Sequence, residues 1–392
     1  MLKVHCVFLN RENKVLFKMI PVFKPLIEKE EIQAAVESLE MGWLGMGSYV
    51  KEFEDAIHRV CELEAADDRH VVAVSTGHAA LHLALMSMGV TEGDEVITPS
   101  FNNAADFQAI KACGADPVFV DILEDTLCVD PNKIESLISK KTKCIIAMDY
   151  DLLLCDHDAL KDISNRTGIP ILHDAAHSFG SRYNGKPTGN QHDYTMFSFD
   201  PVKAITCIDG GALVVKGREM VEKLQAMRLI GMTQPAAQMY KNSRAWTYDI
   251  KELGFRYHMA NLHAAIGLQQ IGKLNLIMSS RQMSCNQYNE ALSKANGILI
   301  PKSQMCDINP FLYYIRVLYG RREELRTHLR QQGVDTGIHW QAGHSFSLFS
   351  HCKTGPLDVT EKIVSEVLSL PLHSKMNALD VERICRAVLE FK

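Results

Sequence analysis

Three short stretches of the sequence carry residue types that could do chemistry. The first is Phe197-Ser-Phe-Asp-Pro-Val-Lys203-Ala-Ile-Thr-Cys-Ile-Asp-Gly-Gly211, in which one lysine stands between two apolar runs. The pattern reads as strand, tight loop, strand, with Lys203 in the loop. A lysine there either snorkels its ammonium to solvent or is held near neutrality by burial, so that its amine can form a Schiff base with a carbonyl. The second stretch is Ser75-Thr76-Gly77-His78, which comes after the apolar Val71–Val74 and opens a helical pattern. Free amides, the positive end of a helix dipole and a hydroxyl would converge there and suit a phosphate. Simple N-capping by Ser75 or Thr76 uses the same residues. The Gly-Lys-Ser/Thr of a P-loop and the Gly-x-Gly-x-x-Gly of a dinucleotide site are both lacking.

The third stretch is His173-Asp174-Ala175-Ala176-His177, after Ile169-Pro-Ile-Leu172. Two histidines four apart imitate a zinc-protease motif, but the Glu after the first His is missing and the stretch ends a strand, so no metal is expected. Asp174, beside small residues that admit a flat ligand, reads as a carboxylate for a protonated nitrogen, or as a helix cap. His339, His344, His351 and Cys352 match no common ligand spacing.

The elements that would position these residues alternate. Val71–Val74, Glu95–Thr98, Pro117–Val120 and Cys144–Ala147 each precede a helical pattern, and Ile169–Leu172, Thr195–Phe199 and Ala212–Val215 come after them. The runs are apolar without alternation, as in strands buried on both faces, which predicts an α/β domain around a mostly parallel sheet. Ligands of such sheets sit beyond the carboxyl ends of the strands. Upstream, Ile32, Ala35, Val36 and Leu39, then Phe53, Ile57 and Val60, recur at helical spacing, with the glycine-rich Met41–Gly47 as a loop between them. Downstream, helices over Leu262–Ile271, Leu274–Leu292, Glu323–Gln332, Thr360–Leu368 and Ala378–Phe391, with a strand at Leu312–Leu318, predict a smaller α/β unit. The expected division is an extension over residues 1–18, a large domain over 19–275 and a small one over 276–392.

Composition sets the class. The chain has 392 residues, 46% hydrophobic and 23% charged, with a net charge of −5 and no block of like charge, so neither nucleic acid nor membrane is expected as a partner. Its 11 cysteines are scattered, which fits reduced thiols in the cytoplasm rather than a disulfide framework. No apolar run approaches the roughly 18 to 20 residues of a membrane span, and the apolar start is too short for a secretory signal.

Taken together, three strand ends offer an anion cradle, a carboxylate and a lysine. Pyridoxal 5′-phosphate presents a phosphate, a pyridine nitrogen and an aldehyde, and requires those three partners.

The same residues resemble a known family. The runs Ser75-Thr-Gly-His-Ala-Ala-Leu81, Gly93-Asp-Glu-Val-Ile-Thr-Pro-Ser100, Ala115-Asp-Pro-Val-Phe-Val-Asp121, His173–His177 and Phe197–Lys203 are similar to those of the DegT/StrS nucleotide-sugar aminotransferases. The similarity runs from about Ile20 to the end, including Gly337-Ile-His339-Trp340 and Leu368-Ser-Leu-Pro-Leu-His373. The resemblance implies the aspartate aminotransferase-like fold of pyridoxal-phosphate enzymes, fold type I. It implies a homodimer with shared active sites, and transfer of an amino group from glutamate to a nucleotide-linked keto-sugar. By it Lys203 is the Schiff-base lysine, Asp174 pairs with the pyridine nitrogen, His177 lies beside the ring, and Thr76, Gly77 and Ser198 hold the phosphate, with His78 also at the cofactor. His339 would line the sugar site. The loop after Lys203 is more like the C4-aminating, viosamine- and perosamine-synthase-like branch than the C3 branch, which stays as the alternative beside a non-catalytic regulatory homologue.

Two positions depart from the family. Asn103 stands where an aromatic residue often stacks on the ring. Arg256 stands where many members have an Asn that reaches the partner subunit's phosphate, a task that its guanidinium could perform. A sugar dehydratase of this fold would carry His in place of Lys203, and a transaminase for amino acids would be expected to carry an arginine for a second carboxylate.

Overall fold

Runs rich in Val, Ile, Ala and Phe form the strands of the computed structural model, which describes residues 19–391 apart from 234, 235, 244, 245 and 304. The expected extension over 1–18 lies outside the described residues. In chain order the strands are β1 (Arg69–Val74), β2 (Glu95–Pro99), β3 (Asp116–Val120), β4 (Thr142–Met148), β5 (Ile171–Asp174), the short hairpin β6 (Arg182–Tyr183) and β7 (Lys186–Pro187), β8 (Tyr194–Ser198) and β9 (Gly211–Lys216). Seven of them make one sheet in the order β1-β9-β8-β5-β4-β2-β3. The pairs from β8 to β3 are parallel, and β9 runs antiparallel to both its neighbours. This is the mostly parallel, mixed sheet that the sequence predicts.

Each face of the sheet is covered, which is why the strands do not alternate with polar residues. On one side Val72, Val74 and Leu213 pack against Leu81 and Leu85 of the helix Gly77–Ser87. On the other, Ala73, Phe197 and Val214 pack against Val50, Phe53 and Ile57 of the helix Ser48–Val60. A buried polar bolt adds to the second face. Arg228 donates from Nη1 to Glu54 Oε1 and to the Ala73 carbonyl, each at 2.6 Å, and from Nη2 to the Tyr240 hydroxyl at 2.6 Å. Tyr240 in turn donates to Glu54 Oε2 at 2.7 Å. The pair is fully desolvated, and its hydrogen bonds offset that penalty.

The helix Lys29–Met41 forms where expected, but its apolar stripe points outward. It buries Glu31, Ala34 and Ser38, while Ile32 and Leu39 are more than half exposed. The polar face wins the inside position because Glu31 accepts from Lys273 and Gln270. Trp246, Ile250 and Leu253 are exposed as well.

A second sheet joins β10 (Ile298–Leu299), β11 (Tyr313–Val317) and β12 (Val367–Leu370), all antiparallel. Its core contains Tyr288, Ile315, Leu368, Val381 and Ile384. The helix expected over Thr360–Leu368 instead spans Asp358–Glu366, and Val367–Leu370 turn into β12 without a loop, because Leu368 pairs opposite Ile315 in that core. The helix Leu274–Leu292 runs through position 275 and packs on Ala378–Leu389. Ile20 belongs to the same core, and its amide and carbonyl bond to Gly333 and Asp335. No helix among the described residues is long and apolar enough to cross a membrane.

Candidate active site

The strand ends converge on a cavity of about 530 Å³. Thr76, Gly77, His78, Asn103, Asp174, His177, Ser198 and Lys203 all line it, although they come from separate strand-to-helix and strand-to-strand connections. At one end Thr76 caps the helix Gly77–Ser87, its hydroxyl accepting from the Ala79 amide at 2.9 Å. The helix start lies so close to β8 that a Cβ on Gly77 would fall 2.7 Å from Ser198 Cβ and 2.8 Å from its Oγ. Glycine is therefore required for backbone and hydroxyl to meet at that spot. The result is a helix N-terminus with a serine hydroxyl beside it, which suits an anion.

Asp174 is the last residue of β5 and is buried. Its Oδ1 accepts from the Ala176 amide at 2.9 Å. Burial raises its pKa, and that amide and the charge of Lys203 oppose the shift.

Behind Asp174 lies a buried network centred on Asp149. Its carboxylate receives His173 Nε2 at 2.7 Å, the Ser178 hydroxyl at 2.7 Å and the Cys155 amide at 2.9 Å, with His157 Nε2 3.1 Å away. Burial alone would raise the Asp149 pKa, yet His173 and His157 hold it well below the ordinary value. His173, next to Asp174 in sequence, is thereby fixed in place.

Lys203 sits in the loop between β8 and β9, which closes on itself through Phe199 N to Gly210 O and Cys207 N to Phe199 O, both 2.9 Å. Its ammonium does not reach solvent along a surface path. The residue is 8% exposed, and Nζ lies 4.3 Å above the centre of the Phe311 ring. Burial lowers its pKa, against the opposing charges of Asp200, Asp174, Asp151 and Asp106. His177, packed between Phe311 at 4.5 Å and Trp340 at 6.0 Å, is pushed well down by burial and then by Lys203, so it is a neutral imidazole.

The other predicted residues divide between the cavity and its surroundings. Asn103 caps the helix Ala104–Ala112, accepting from the Ala105 amide at 2.9 Å, so its side chain serves its own helix while lining the cavity. His78 Nδ1 lies 3.1 Å from the Ala105 carbonyl. His339 is outside the cavity lining, hydrogen-bonded to Ser369 at 2.9 Å, and burial and Lys203 lower its pKa to about 4. Arg256 is exposed, bridged to Leu229, and is not among the lining residues. Three acidic neighbours in the cavity, Asp106, Asp200 and Asp209, were not singled out by motif. Asp106 in particular reads in sequence as an ordinary first-turn charge of a helix.

The site can therefore hold a molecule with an anion at one end, a basic ring nitrogen near Asp174 and a carbonyl near Lys203. A model of the DegT/DnrJ/EryC1/StrS aminotransferases matches residues 25–389. The chain belongs to that family. Members of the DegT/DnrJ/EryC1/StrS family are pyridoxal-phosphate-dependent, which agrees with the three-part cavity. Among solved structures of similar shape is the aminotransferase TlmJ from Streptoalloteichus hindustanus. It has 28% identity and a TM-score of 0.87 over 94% of this chain and 98% of that one. DesV from S. venezuelae has 30% identity and a TM-score of 0.83 over 92% and 94%. Spr1654 from Streptococcus pneumoniae, named as a sugar aminotransferase and solved in PLP and PMP forms, has 27% identity and a TM-score of 0.86 over 94% and 98% in its PMP form.

Proposed function

We propose that this protein is a pyridoxal-phosphate-dependent aminotransferase that moves an amino group from glutamate to a nucleotide-linked keto-deoxysugar, with the 4-keto sugars as its substrate class. The observation that carries the reading is the single cavity in which Lys203, Asp174 and the Thr76-Gly77-Ser198 corner face one another. When bound, pyridoxal phosphate supplies a carbonyl that condenses with amines and a ring that accepts electrons. Thr76, Gly77 and Ser198 would hold its phosphate, Asp174 its ring nitrogen and Lys203 its carbonyl carbon.

The chain's own part is to position and to move protons. Asp174 presents negative charge where the ring nitrogen is protonated. Lys203, its basicity reduced by burial, is the base that removes a proton from the amino donor and returns one during the transfer. Neutral His177 lines the site, backed by the rings of Phe311 and Trp340. The outward stripe of Ile32, Val36 and Leu39 supports a homodimer, in which exposed Arg256 is proposed to reach the phosphate of the partner copy, and His339 the sugar.

The test has two stages. Borohydride treatment of the protein with pyridoxal phosphate, followed by peptide mass spectrometry, is expected to fix the cofactor on Lys203; labelling elsewhere or none removes the enzyme reading. Glutamate-dependent amination of a panel of keto-sugar nucleotides comes second. Activity confined to 3-keto sugars overturns the 4-keto assignment, and no activity with any sugar overturns the substrate class.

A further inference from the structure

Asp106 is the third residue of the helix Ala104–Ala112, and it is completely buried against the cavity. Its Oδ2 accepts from Asn102 Nδ2 at 2.5 Å, whereas Oδ1 meets no protein donor. Asp174, reached from β5, is likewise buried and lines the same cavity, so the unpartnered Oδ1 of Asp106 and the Asp174 carboxylate share one enclosed space. Two buried carboxylates side by side do not both stay ionised. A first-turn aspartate that served only its helix would take backbone amides, but the one hydrogen bond to Asp106 comes from the Asn102 side chain.

The cavity that holds the pair is also lined by His78, His177, Asp200, Lys203 and Asp209. Asp106 faces Asp174, Lys203 and the Cys144 thiol, and Asp174 faces Lys203 and His173. Lys203 is the positive charge there, and it is shared with Asp151 and Asp200. Burial and then the charge of Asp174 push the Asp106 carboxyl well up. Burial raises Asp174 too, but the hydrogen bond from Asp106 pulls it back. Of the two, Asp106 keeps the proton.

We propose that Asp106 and Asp174 form an acid–carboxylate pair in which Asp106 donates its proton to Asp174, making Asp106 a positioning residue for the carboxylate that meets the ring nitrogen. The inference rests on the reading of Asp174 given above. A carboxylate that already accepts a hydrogen bond from a neutral acid is a weaker base than a bare one. It remains ionised in the buried site and leaves the ring proton on the ring. No proton has to leave the pair when the protonated ring arrives, because the shared proton stays between the two side chains.

The test uses the full chain with Asp106→Asn, Asp106→Ala and Asp174→Asn. Two quantities are read: the dissociation constant of pyridoxal phosphate and the pH midpoint of the visible band of the bound cofactor. Asp106→Asn, whose amide N–H replaces the acid O–H, is expected to stay within about twofold of wild type, while Asp106→Ala weakens binding about tenfold and moves the midpoint by about one pH unit, as loss of one charge-assisted hydrogen bond would do. Asp106→Ala indistinguishable from wild type, or Asp106→Asn as damaging as Asp106→Ala, overturns the proposal. A readout without cofactor is the infrared carbonyl band of a protonated carboxylic acid in the free protein at neutral pH. The difference spectrum of wild type minus Asp106→Asn is expected to show it above the share of the buried Asp151 carboxyl, and its absence from that difference overturns the pairing even if Asp106→Ala does not fold. If Asp174→Asn leaves cofactor affinity untouched, the role given to Asp174 fails, and the infrared band still decides whether the two side chains share a proton.

Discussion

Gly77→Ala is the sharpest perturbation of the anion corner, because the backbone of Gly77 is in a region open to alanine and only space opposes the change. The added Cβ would lie 2.7 Å from Ser198 Cβ, 0.7 Å short of an ordinary 3.4 Å contact. Overpacking of this kind costs about 1–3 kcal/mol. Alanine gains about 0.5–1 kcal/mol over glycine within a helix, so the net loss is about 0–2.5 kcal/mol. The larger effect falls on the ligand. Parting the helix start from β8 by several tenths of an ångström lengthens the bonds that both elements offer one phosphate. Losing one charged hydrogen bond costs about 1.5–3 kcal/mol, equivalent to about 10- to 100-fold in affinity. Thermal melting and a pyridoxal phosphate absorbance titration measure the two losses. The double variant Gly77→Ala/Ser198→Gly, compared with Ser198→Gly alone, should recover the melting temperature, since the obstructing Cβ is gone. The reasoning is refuted if Gly77→Ala equals wild type in both assays, or if the double variant melts no higher than the single one.

Three further perturbations probe other parts of the molecule. Arg228→Met strands Glu54 in the core and should destabilise by about 3–5 kcal/mol in chemical denaturation, whereas Arg228→Met with Glu54→Leu should recover most of that loss. His339 is depressed to about 4 from 6.5, so the unfolded chain binds the proton first. Its share of stability is full above pH 6.5, is lost as pH falls towards 4 and is level below that, and His339→Asn should flatten this part of the melting-temperature profile. Ile32→Glu with Val36→Lys, on the outward stripe, should leave the monomer fold intact by circular dichroism and shift sedimentation towards the monomer. An unchanged sedimentation coefficient removes that stripe from the interface.

Much of the site was legible because strands buried on both faces have a plain signature, and the chemistry-bearing residues stand directly after them in the chain. Thr76, Asp174 and Lys203 could be read one strand end at a time. Leu274–Leu292 was legible to its bounds, having a long periodic run. Asp106 was not, since its meaning comes from Asp174, which ends a strand 68 positions later and has no sequence relation to it. Asp149 escaped notice for the same reason, as its partners come from four separate positions of the chain. The stripe of Ile32, Val36 and Leu39 gave a helix but hid its orientation, because Glu31 finds Lys273 and Gln270 only in three dimensions. Leu368 was misplaced because helix and strand meet there without a turn residue to mark the boundary.

The bonds of Ile20 to Gly333 and Asp335 have a topological consequence. The described chain starts in the core beneath the three-stranded sheet, leaves to build the seven-stranded one, and returns along the helix Leu274–Leu292. In path, the seven-stranded sheet lies between Ile20 and the helix Leu274–Leu292, both of which pack in the core of the three-stranded sheet. The two crossings lie side by side, since Lys273 Nζ bonds Glu28 at 3.1 Å and Gln270 bonds the Leu26 carbonyl at 2.7 Å. Contacts far from these crossings tie the same parts together: Thr360 Oγ1 donates to Asp121 Oδ1 at 2.7 Å, Asn309 Nδ2 donates to the Phe179 carbonyl at 2.8 Å, and Tyr314 packs in one cluster with Ile145 and Tyr150. The aromatic wall of Phe311 over Lys203 is thus fixed by bonds spread along the whole seam, and a loss of the Lys273 contacts alone would leave it standing.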